Sequence, residues 1–224
     1  MDSIYENLKK YISDEQHREL ECREYLQYAK HILFKETVID YVNDDCEFRT
    51  RVGDTDYIIS AQVKRGDSIK RVKAYVWELK APQCYIYQKD NNDRLIPTSD
   101  LFKAENQLIH YYDQLKGTTR FNDEFGITHP DDVCIGGIII GRLDRWVRGI
   151  DNENKKDNLL RQTQRIRDKY QYDTHKIGII TWDFILDNLN IPGKTVTTQK
   201  SESKPIRMSM PTDSTNPFTY SGSK

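Results

Sequence analysis

The sequence lacks several features that identify a protein class at once. Its 34 Lys and Arg nearly balance its 35 Asp and Glu, so no overall basic field indicates a nucleic-acid partner. No apolar run reaches the roughly 20 residues of a membrane-spanning helix, and the N-terminus has no signal-peptide core. We therefore expect a cytoplasmic protein with no membrane partner, whose binding to any polyanion depends on a local patch.

Cysteine-based and loop-based sites are also missing. The four cysteines are scattered, with no Cys-x-x-Cys pair and no spacing typical of a disulfide framework, which argues against a zinc site. No glycine-rich loop opens a helix, and no serine lies in a nucleophile elbow. The run from Gly136 to Gly141 lies inside a strand pattern, so we interpret its glycines as sites of close packing.

The most informative stretch that is present runs from Val76 to Pro82. Apolar residues predict a buried strand here, yet the strand delivers a carboxylate and an ammonium two residues apart. Glu78 and Lys80 share one face because the side-chain period of a strand is two. Burying a charge is costly unless it is paired or binds a metal, and an ion pair is the commoner meaning of Glu-x-Lys. The pair alone therefore does not indicate a site.

A second predicted strand supplies an acid close to this pair. It runs from Asp56 to Gln62 and follows a Gly-Asp-Thr turn. The polar, glycine-containing segment 64–71 then suits a hairpin connection to a strand at Val72 to Glu78. An antiparallel return places Asp56, at the start of one strand, near Glu78 at the end of the other.

A helix is predicted downstream of these strands. Ser99 or Asp100 can cap it, and Gly117 can end it after about residue 115. Gln107 and Tyr111 stand four apart on one face of this helix. They flank its buried side as residues at a site would, although a polar helix face is the alternative interpretation.

The remaining pattern predicts an α/β fold with a mixed sheet flanked by helices, in the order αβββαβαβα. Further predicted elements are a helix over 13–35, a first strand over 47–52, a loop over 84–98, a central strand over 133–141, a helix over 154–172, a strand over 176–181 and a helix over 183–189. We expect an N-terminal helical segment at 1–46, a core domain at 47–191 and a disordered tail at 192–224.

Two acids converging at one sheet edge predict a site for a hard cation. Mg²⁺ or Mn²⁺ takes one or two protein carboxylates, with waters and substrate phosphate completing its shell. Asp56 and Glu78 are the expected ligands, and Lys80 would orient or deprotonate water or neutralise the transition state. Asp54 is a lesser ligand candidate because it also suits a solvated turn, and Glu36 is a further acid whose commoner meaning is a helix charge.

Basic residues are grouped in several places and are the candidates for a nucleic-acid contact. Charge runs are usually solvated faces, but Trp146 lies among three arginines at the end of a central strand. The expected backbone-binding residues are Lys64, Arg65, Lys70, Arg71, Arg142 and Arg145, with Arg49 and Arg51 forming a further basic group.

Taken together, these residues resemble a PD-(D/E)xK nuclease domain. The αβββαβ order, Asp56, the Glu78-Leu79-Lys80 string and Gln107 with Tyr111 match that superfamily. More narrowly, the strings at 77–82, 107–112, 137–142 and 179–186 are similar to the nuclease domain of Shedu-type anti-phage defence proteins. Threonine replaces the usual proline before the acid.

The resemblance implies a restriction-endonuclease-like fold and a Mg²⁺- or Mn²⁺-dependent DNA endonuclease or nickase that assembles as a homo-oligomer. In that role Asp56, Glu78 and Lys80 are catalytic, with Gln107 and Tyr111 at the same site. Two alternatives stay open: a catalytically silent binding module with this fold, and a nuclease that acts on RNA.

Overall fold

The computed structural model describes residues 2–65, 69–150, 157–159, 161–163, 165 and 177–190. The strands in chain order are β1 (Thr37–Asp45), β2 (Tyr57–Arg65), β3 (Ile69–Leu79), β4 (Tyr87–Lys89), β5 (Leu95–Pro97), β6 (Val133–Ile139), β7 (Val147–Arg148) and β8 (Gly178–Ile180). The helices are α1 (Asp2–Ser13), α2 (Glu19–Arg23), α3 (Ser99–Leu115), α4 (Thr119–Phe125) and α5 (Trp182–Asp187). Short 3₁₀ turns occupy Glu24–Tyr28, Lys30–Ile32, Pro130–Asp132 and Leu143–Arg145.

The described chain forms a mixed α/β fold around an open five-stranded sheet in the order β1-β2-β3-β6-β8. The first three strands are an antiparallel meander, and β6 and β8 run parallel to β3. A small second sheet has the order β5-β4-β7. The expected α/β class and mixed sheet are confirmed, and so is the hairpin between β2 and β3.

The sheet separates two hydrophobic cores, as the alternation along β3 shows. Ala74 and Val76 belong to the core that contains the inner face of α3. Tyr75, Trp77 and Leu79 belong to the opposite core, which α1, α2 and α5 cover. Because Glu78 follows Val76 by two residues, it emerges on the α3 face of the sheet.

Close packing at Gly136 confirms the interpretation of the glycine run in β6. A Cβ atom built on Gly136 would lie 2.4 Å from the indole of Trp77. Only a residue without a side chain fits there, because the indole of Trp77 occupies the space that a Cβ would need.

The first strand of the sheet is not where the sequence predicts it. Residues 47–52 form bends, with one isolated bridge between Arg49 and Asp54. The edge strand is β1 instead, which is mostly exposed and contains two register shifts against β2. Its burial does not alternate, so it leaves no period-two pattern in the sequence.

The N-terminal 46 residues do not form a purely helical segment. The predicted helix over 13–35 is wrong, because α1 ends at Ser13 and Gln16 N donates to Asp14 Oδ1 in a turn before α2. Residues 1–46 also supply β1, which pairs with β2, and part of the core that β2 and β3 share.

The described residues from Thr98 onward follow the predictions in part. The N-cap of α3 is Thr98, whose hydroxyl accepts from Leu101 N, and not Ser99 or Asp100 as predicted. Strand β8 and helix α5 match the last two predicted elements. The predicted loop over 84–98 contains β4 and β5. Most of the expected helix over 154–172, and the whole tail over 192–224, lie outside the described residues. None of the described helices is long and apolar enough to cross a membrane.

Candidate functional site

Three predicted site residues meet where β2 begins and β3 ends. Tyr57 is paired with Trp77, so Asp56 and Glu78 lie at adjoining positions beyond that pair. Lys80 Nζ donates to Glu78 Oε1 at 2.6 Å and lies 3.7 Å from Asp56 Oδ2. The predicted convergence of Asp56, Glu78 and Lys80 is therefore present in the structure.

The backbone around Lys80 is fixed by its neighbours. Lys80 N donates to Ile139 O at 2.8 Å, which continues the β3–β6 pairing past the end of the strand. Lys80 O accepts from the Trp182 indole Nε1 at 2.7 Å. The ammonium group is thus presented by a segment bonded on both sides, which suits a site that needs constant geometry.

Glu78 is the most constrained charged group of the site. It is 0 % exposed, and its Oε2 has no hydrogen-bond partner within the described part of the chain. Burial raises the pKa of Glu78 to about 9, and the carboxylate of Asp56 acts in the same direction while Lys80 opposes it. A buried oxygen left unpaired is costly, so this group has a high affinity for a proton or another cation.

Lys80 remains an ammonium in this arrangement. Burial alone would lower its pKa, but the charges of Glu78, Asp56 and Glu19 together raise it. The group therefore acts as a fixed positive charge and a hydrogen-bond donor, and a lysine that holds its proton this firmly is a poor general base.

Gln107 and Tyr111 lie on α3 beside the same acids. Tyr111 is buried, and Gln107 lies about one helical turn before it on the same face of α3. Burial raises the pKa of Tyr111, and the charges of Glu78 and Asp56 add to that effect, which places the phenol within their electrostatic reach. Tyr111 thus belongs to the electrostatic surroundings of the acids, and a role for Gln107 at the site stays a prediction.

Gly53 lies against this phenol. A Cβ built on Gly53, whose φ is +142°, would lie 3.1 Å from Tyr111 Oη. The turn before Asp56 therefore packs directly on the side chain that α3 brings to the site.

Two other acids are not brought into the site. Asp54 is exposed and lies 3.6 Å from Arg49 Nε across the turn, so its proposed role as a metal ligand is not supported. Glu36 accepts hydrogen bonds from Lys73 Nζ and from Tyr75 OH. Because residues 73 and 75 precede Glu78 by several positions along β3, Glu36 has a separate structural role.

Glu19 is an acid that the sequence analysis missed. It lies at the start of α2, where burial raises its pKa and the charges of Lys80 and Asp56 act on it. No local pattern marks it, because α2 has only five residues and no side-chain cap. The third carboxylate thus comes from the helical segment on the other face of the sheet.

The predicted backbone-binding arginines after β6 have structural partners. Arg142 Nη1 donates to Ile12 O at 2.8 Å, and its side chain is only 12 % exposed. Arg145 pairs with Glu15 and stacks over the Tyr85 ring. Both arginines connect the end of α1 to the segment after β6 in this conformation, and their predicted nucleic-acid contact stays a prediction.

The other predicted basic residues lie at the far end of the hairpin. Lys64 and Lys70 are exposed, and Arg71 lies 3.7 Å from the buried Asp132. The side chain of Arg65 lies outside the described residues. The paired positions from Tyr57 to Arg65 span roughly 26 Å at the usual rise of a strand, so this tip is remote from Glu78.

The site has fewer possible metal ligands than a site in which protein side chains fill the whole coordination shell. Among the described residues, no group of three or more His, Cys, Asp or Glu side chains is arranged to hold a metal ion. No family model matches the chain, and no curated protein is recognisably similar to it in sequence.

Proposed function

We propose that this protein is a divalent-metal-dependent phosphodiesterase of the PD-(D/E)xK type that cleaves or nicks DNA. The observation that carries the proposal is the buried Oε2 of Glu78, which has no hydrogen-bond partner among the described residues and belongs to a carboxylate beside Asp56 and Lys80. An ordinary ion pair does not need a second acid and an unpaired buried oxygen. A site that binds a cation next to a phosphodiester uses both of these features.

The residues present fit Mg²⁺ or Mn²⁺. Such ions are bound by one or two carboxylates and keep several waters and substrate phosphates, so the lack of a three-ligand group among the described residues is compatible with them. Asp56 and Glu78 would hold the ion. The chemistry that it supplies when bound is charge neutralisation at the phosphodiester and activation of water.

Lys80 supplies positive charge at the reacting phosphate. Its pKa is raised by the surrounding carboxylates, so it stabilises negative charge that develops on the phosphate oxygens instead of removing a proton from water. Trp182 and Ile139 hold its backbone. Of the roles expected for Lys80, neutralisation of the transition state is the one that this environment favours.

The arrangement of elements supports the finer fold assignment. A meander of three strands, then α3, then the parallel strand β6 is the order that the resemblance to restriction-endonuclease-like domains implies. A role in anti-phage defence and assembly as a homo-oligomer are part of the same proposal, and light scattering of the purified protein measures the assembly.

Cleavage assays test the activity. Purified protein is incubated with supercoiled, linear and single-stranded DNA and with RNA, in Mg²⁺, Mn²⁺ or EDTA. We expect metal-dependent cleavage or nicking of DNA that is lost in Glu78→Gln and kept in Lys64→Gln, which removes a charge at the remote hairpin tip. Equal cleavage by Glu78→Gln would disprove the assignment, and cleavage of RNA alone would change the substrate.

A further inference from the structure

A polar cavity that contains three basic side chains is formed by residues next to Asp56 and Tyr111 in the chain. It has a volume of about 640 Å³ and lies between the segment before Asp56 and the C-terminal end of α3. Residues 48–51 form one wall, and residues 113–119 form the other. We call it the Arg49 pocket.

The positive charges of the Arg49 pocket are poorly neutralised. Arg49 and Arg51 extend from one wall and Lys116 from the other, against the single carboxylate of Asp113. Arg49 is 79 % exposed and its pair with Asp54 is 3.6 Å long, which contributes little in water. Within the described ranges, Arg51 and Lys116 have no ion pair, and the Lys116 ammonium lies 4.6 Å from the centroid of the Tyr112 ring. The three basic side chains and one acidic side chain of the lining leave a formal charge of +2, which the exposed Asp54 partly offsets.

The pocket adjoins the acids through two short connections. Thr50 N donates to Gly53 O at 2.8 Å, so the turn that carries Arg51 ends at the glycine packed against Tyr111. On the other wall, Gln114 follows Tyr111 by three residues, or about 5 Å along α3. Tyr111 thus lies about one helical turn from the lining of the pocket and is also under the charge of Glu78.

We propose that the Arg49 pocket binds the phosphodiester backbone of the strand that is cut, at phosphates next to the scissile one. This inference rests on the proposed function, and it assigns the substrate contact to residues other than those that the sequence favours. Guanidinium groups suit phosphate oxygens because they form paired hydrogen bonds. Arg142 and Arg145 cannot serve here, since Glu15 and backbone carbonyls occupy them.

The end of α3 is compatible with an anion in this pocket. The C-terminus of a helix has a partial negative charge that disfavours phosphate. Here Thr118 Oγ1 donates to Gln114 O at 2.6 Å and Thr118 N donates to Leu115 O at 3.2 Å, which satisfies two of the last carbonyls. Lys116 then places an ammonium at the same end.

Salt-dependent binding tests this subsite separately from catalysis. A labelled single-stranded oligonucleotide is titrated in EDTA with wild-type protein, with Arg49→Gln/Arg51→Gln and with Lys64→Gln/Lys70→Gln. The last variant is the matched control, because it removes two exposed lysine charges at the hairpin tip. Thermal unfolding of each variant verifies that it is folded.

The pocket variant should lose two phosphate contacts. The slope of log affinity against log salt should then fall by about 1.4, and the affinity at low salt by roughly tenfold, while the control changes far less. Inorganic phosphate should displace the oligonucleotide better than chloride at equal ionic strength, because the guanidinium groups form paired hydrogen bonds with phosphate oxygens. Equal losses in both double variants, or displacement by phosphate no better than by chloride, would overturn the proposal.

Enzyme activity on a small substrate distinguishes the proposal for the Arg49 pocket from the proposal of nuclease activity. Bis(p-nitrophenyl) phosphate has no neighbouring phosphates, so the pocket variant should hydrolyse it at the wild-type rate while cutting long DNA more slowly. A reduced salt slope without any cleavage would support the pocket and disprove the nuclease. DNA cleavage by the wild type, together with equal oligonucleotide binding by both double variants, would support the nuclease and disprove the pocket.

Discussion

Leu79 N donates to Asp56 Oδ2 at 2.8 Å, across 23 residues of sequence. The Leu79 side chain points away from the site and is buried in the opposite core. Packing on one face of the sheet therefore fixes the backbone donor that holds Asp56 on the other. Glu78 and Lys80, on either side of Leu79, are held by the same packing.

Removal of Lys80 should destabilise the protein through Glu78. Lys80→Met leaves a buried carboxylate without its partner, which costs about 3–5 kcal/mol for a fully buried pair. We expect roughly 2 kcal/mol, because the raised pKa of Glu78 lets it take a proton instead. Urea unfolding in EDTA measures the change.

The double variant Glu78→Gln/Lys80→Met is the control for this effect. It also removes the Glu78 carboxylate that Lys80→Met leaves without a partner, so most of the lost stability should return. A double variant as unstable as the sum of the two single variants would contradict the coupling.

Substitution of Gly136 should strain the sheet below Glu78. Gly136→Ala places a Cβ 2.4 Å from the Trp77 ring, and such overpacking costs about 1–3 kcal/mol. Gly178→Ala is the matched control, since its Cβ meets only Gly136 O at 3.7 Å. Thermal unfolding should separate the two variants, and equal midpoints would contradict the packing described here.

Glu36 should make stability depend on acid pH. Burial alone would raise its pKa, but hydrogen bonds from Lys73 and Tyr75 lower it below the ordinary 4.5. A carboxyl group whose pKa is lowered in the folded state stabilises the protein fully above its ordinary pKa. This stabilisation is lost as the pH falls through the folded-state pKa. The stability difference between wild type and Glu36→Gln should therefore be largest near neutral pH and shrink below about pH 4.5.

Asp40→Asn controls for the loss of any carboxyl group. Asp40 is exposed on β1, and its replacement should leave the acid sensitivity of the wild type in place. A stability difference for Glu36→Gln that is constant with pH would disprove the linkage.

Arg142 should matter for folding and not for substrate binding. Arg142→Ala removes the 2.8 Å hydrogen bond to Ile12 O and leaves that carbonyl only the 3.5 Å contact from Gln83 Nε2, which we expect to cost about 1 kcal/mol. Its salt slope for the oligonucleotide should match that of the wild type. A reduced slope with unchanged stability would restore the nucleic-acid contact that the sequence predicts.

The core of the site could be predicted because it depends on local rules. Strand alternation and a hairpin suffice to bring Asp56 to Glu78 and Lys80, and helix periodicity places Gln107 beside Tyr111. Each of these steps needs only the spacing of neighbouring residues.

The remainder depends on contacts that spacing does not encode. The strand β1 is exposed and irregular, so its sequence has no period-two pattern. Glu19 comes under the charges of Lys80 and Asp56 through tertiary packing, and Arg142 gains structural partners in Ile12 and Glu15, which lie 130 and 127 residues away in the chain. The placement of β1, Glu19 and Arg142 therefore depends on tertiary contacts.

Binding of Mn²⁺ in the absence of substrate tests the central claim most directly, namely that Glu78 and Asp56 form a cation site. At an Mn²⁺ concentration 100 times its dissociation constant, the wild type should gain about 2.7 kcal/mol of stability against unfolding. Asp54→Asn should gain as much, and Glu78→Gln should gain almost nothing. Equal stabilisation of Glu78→Gln and wild type by Mn²⁺ would contradict the account.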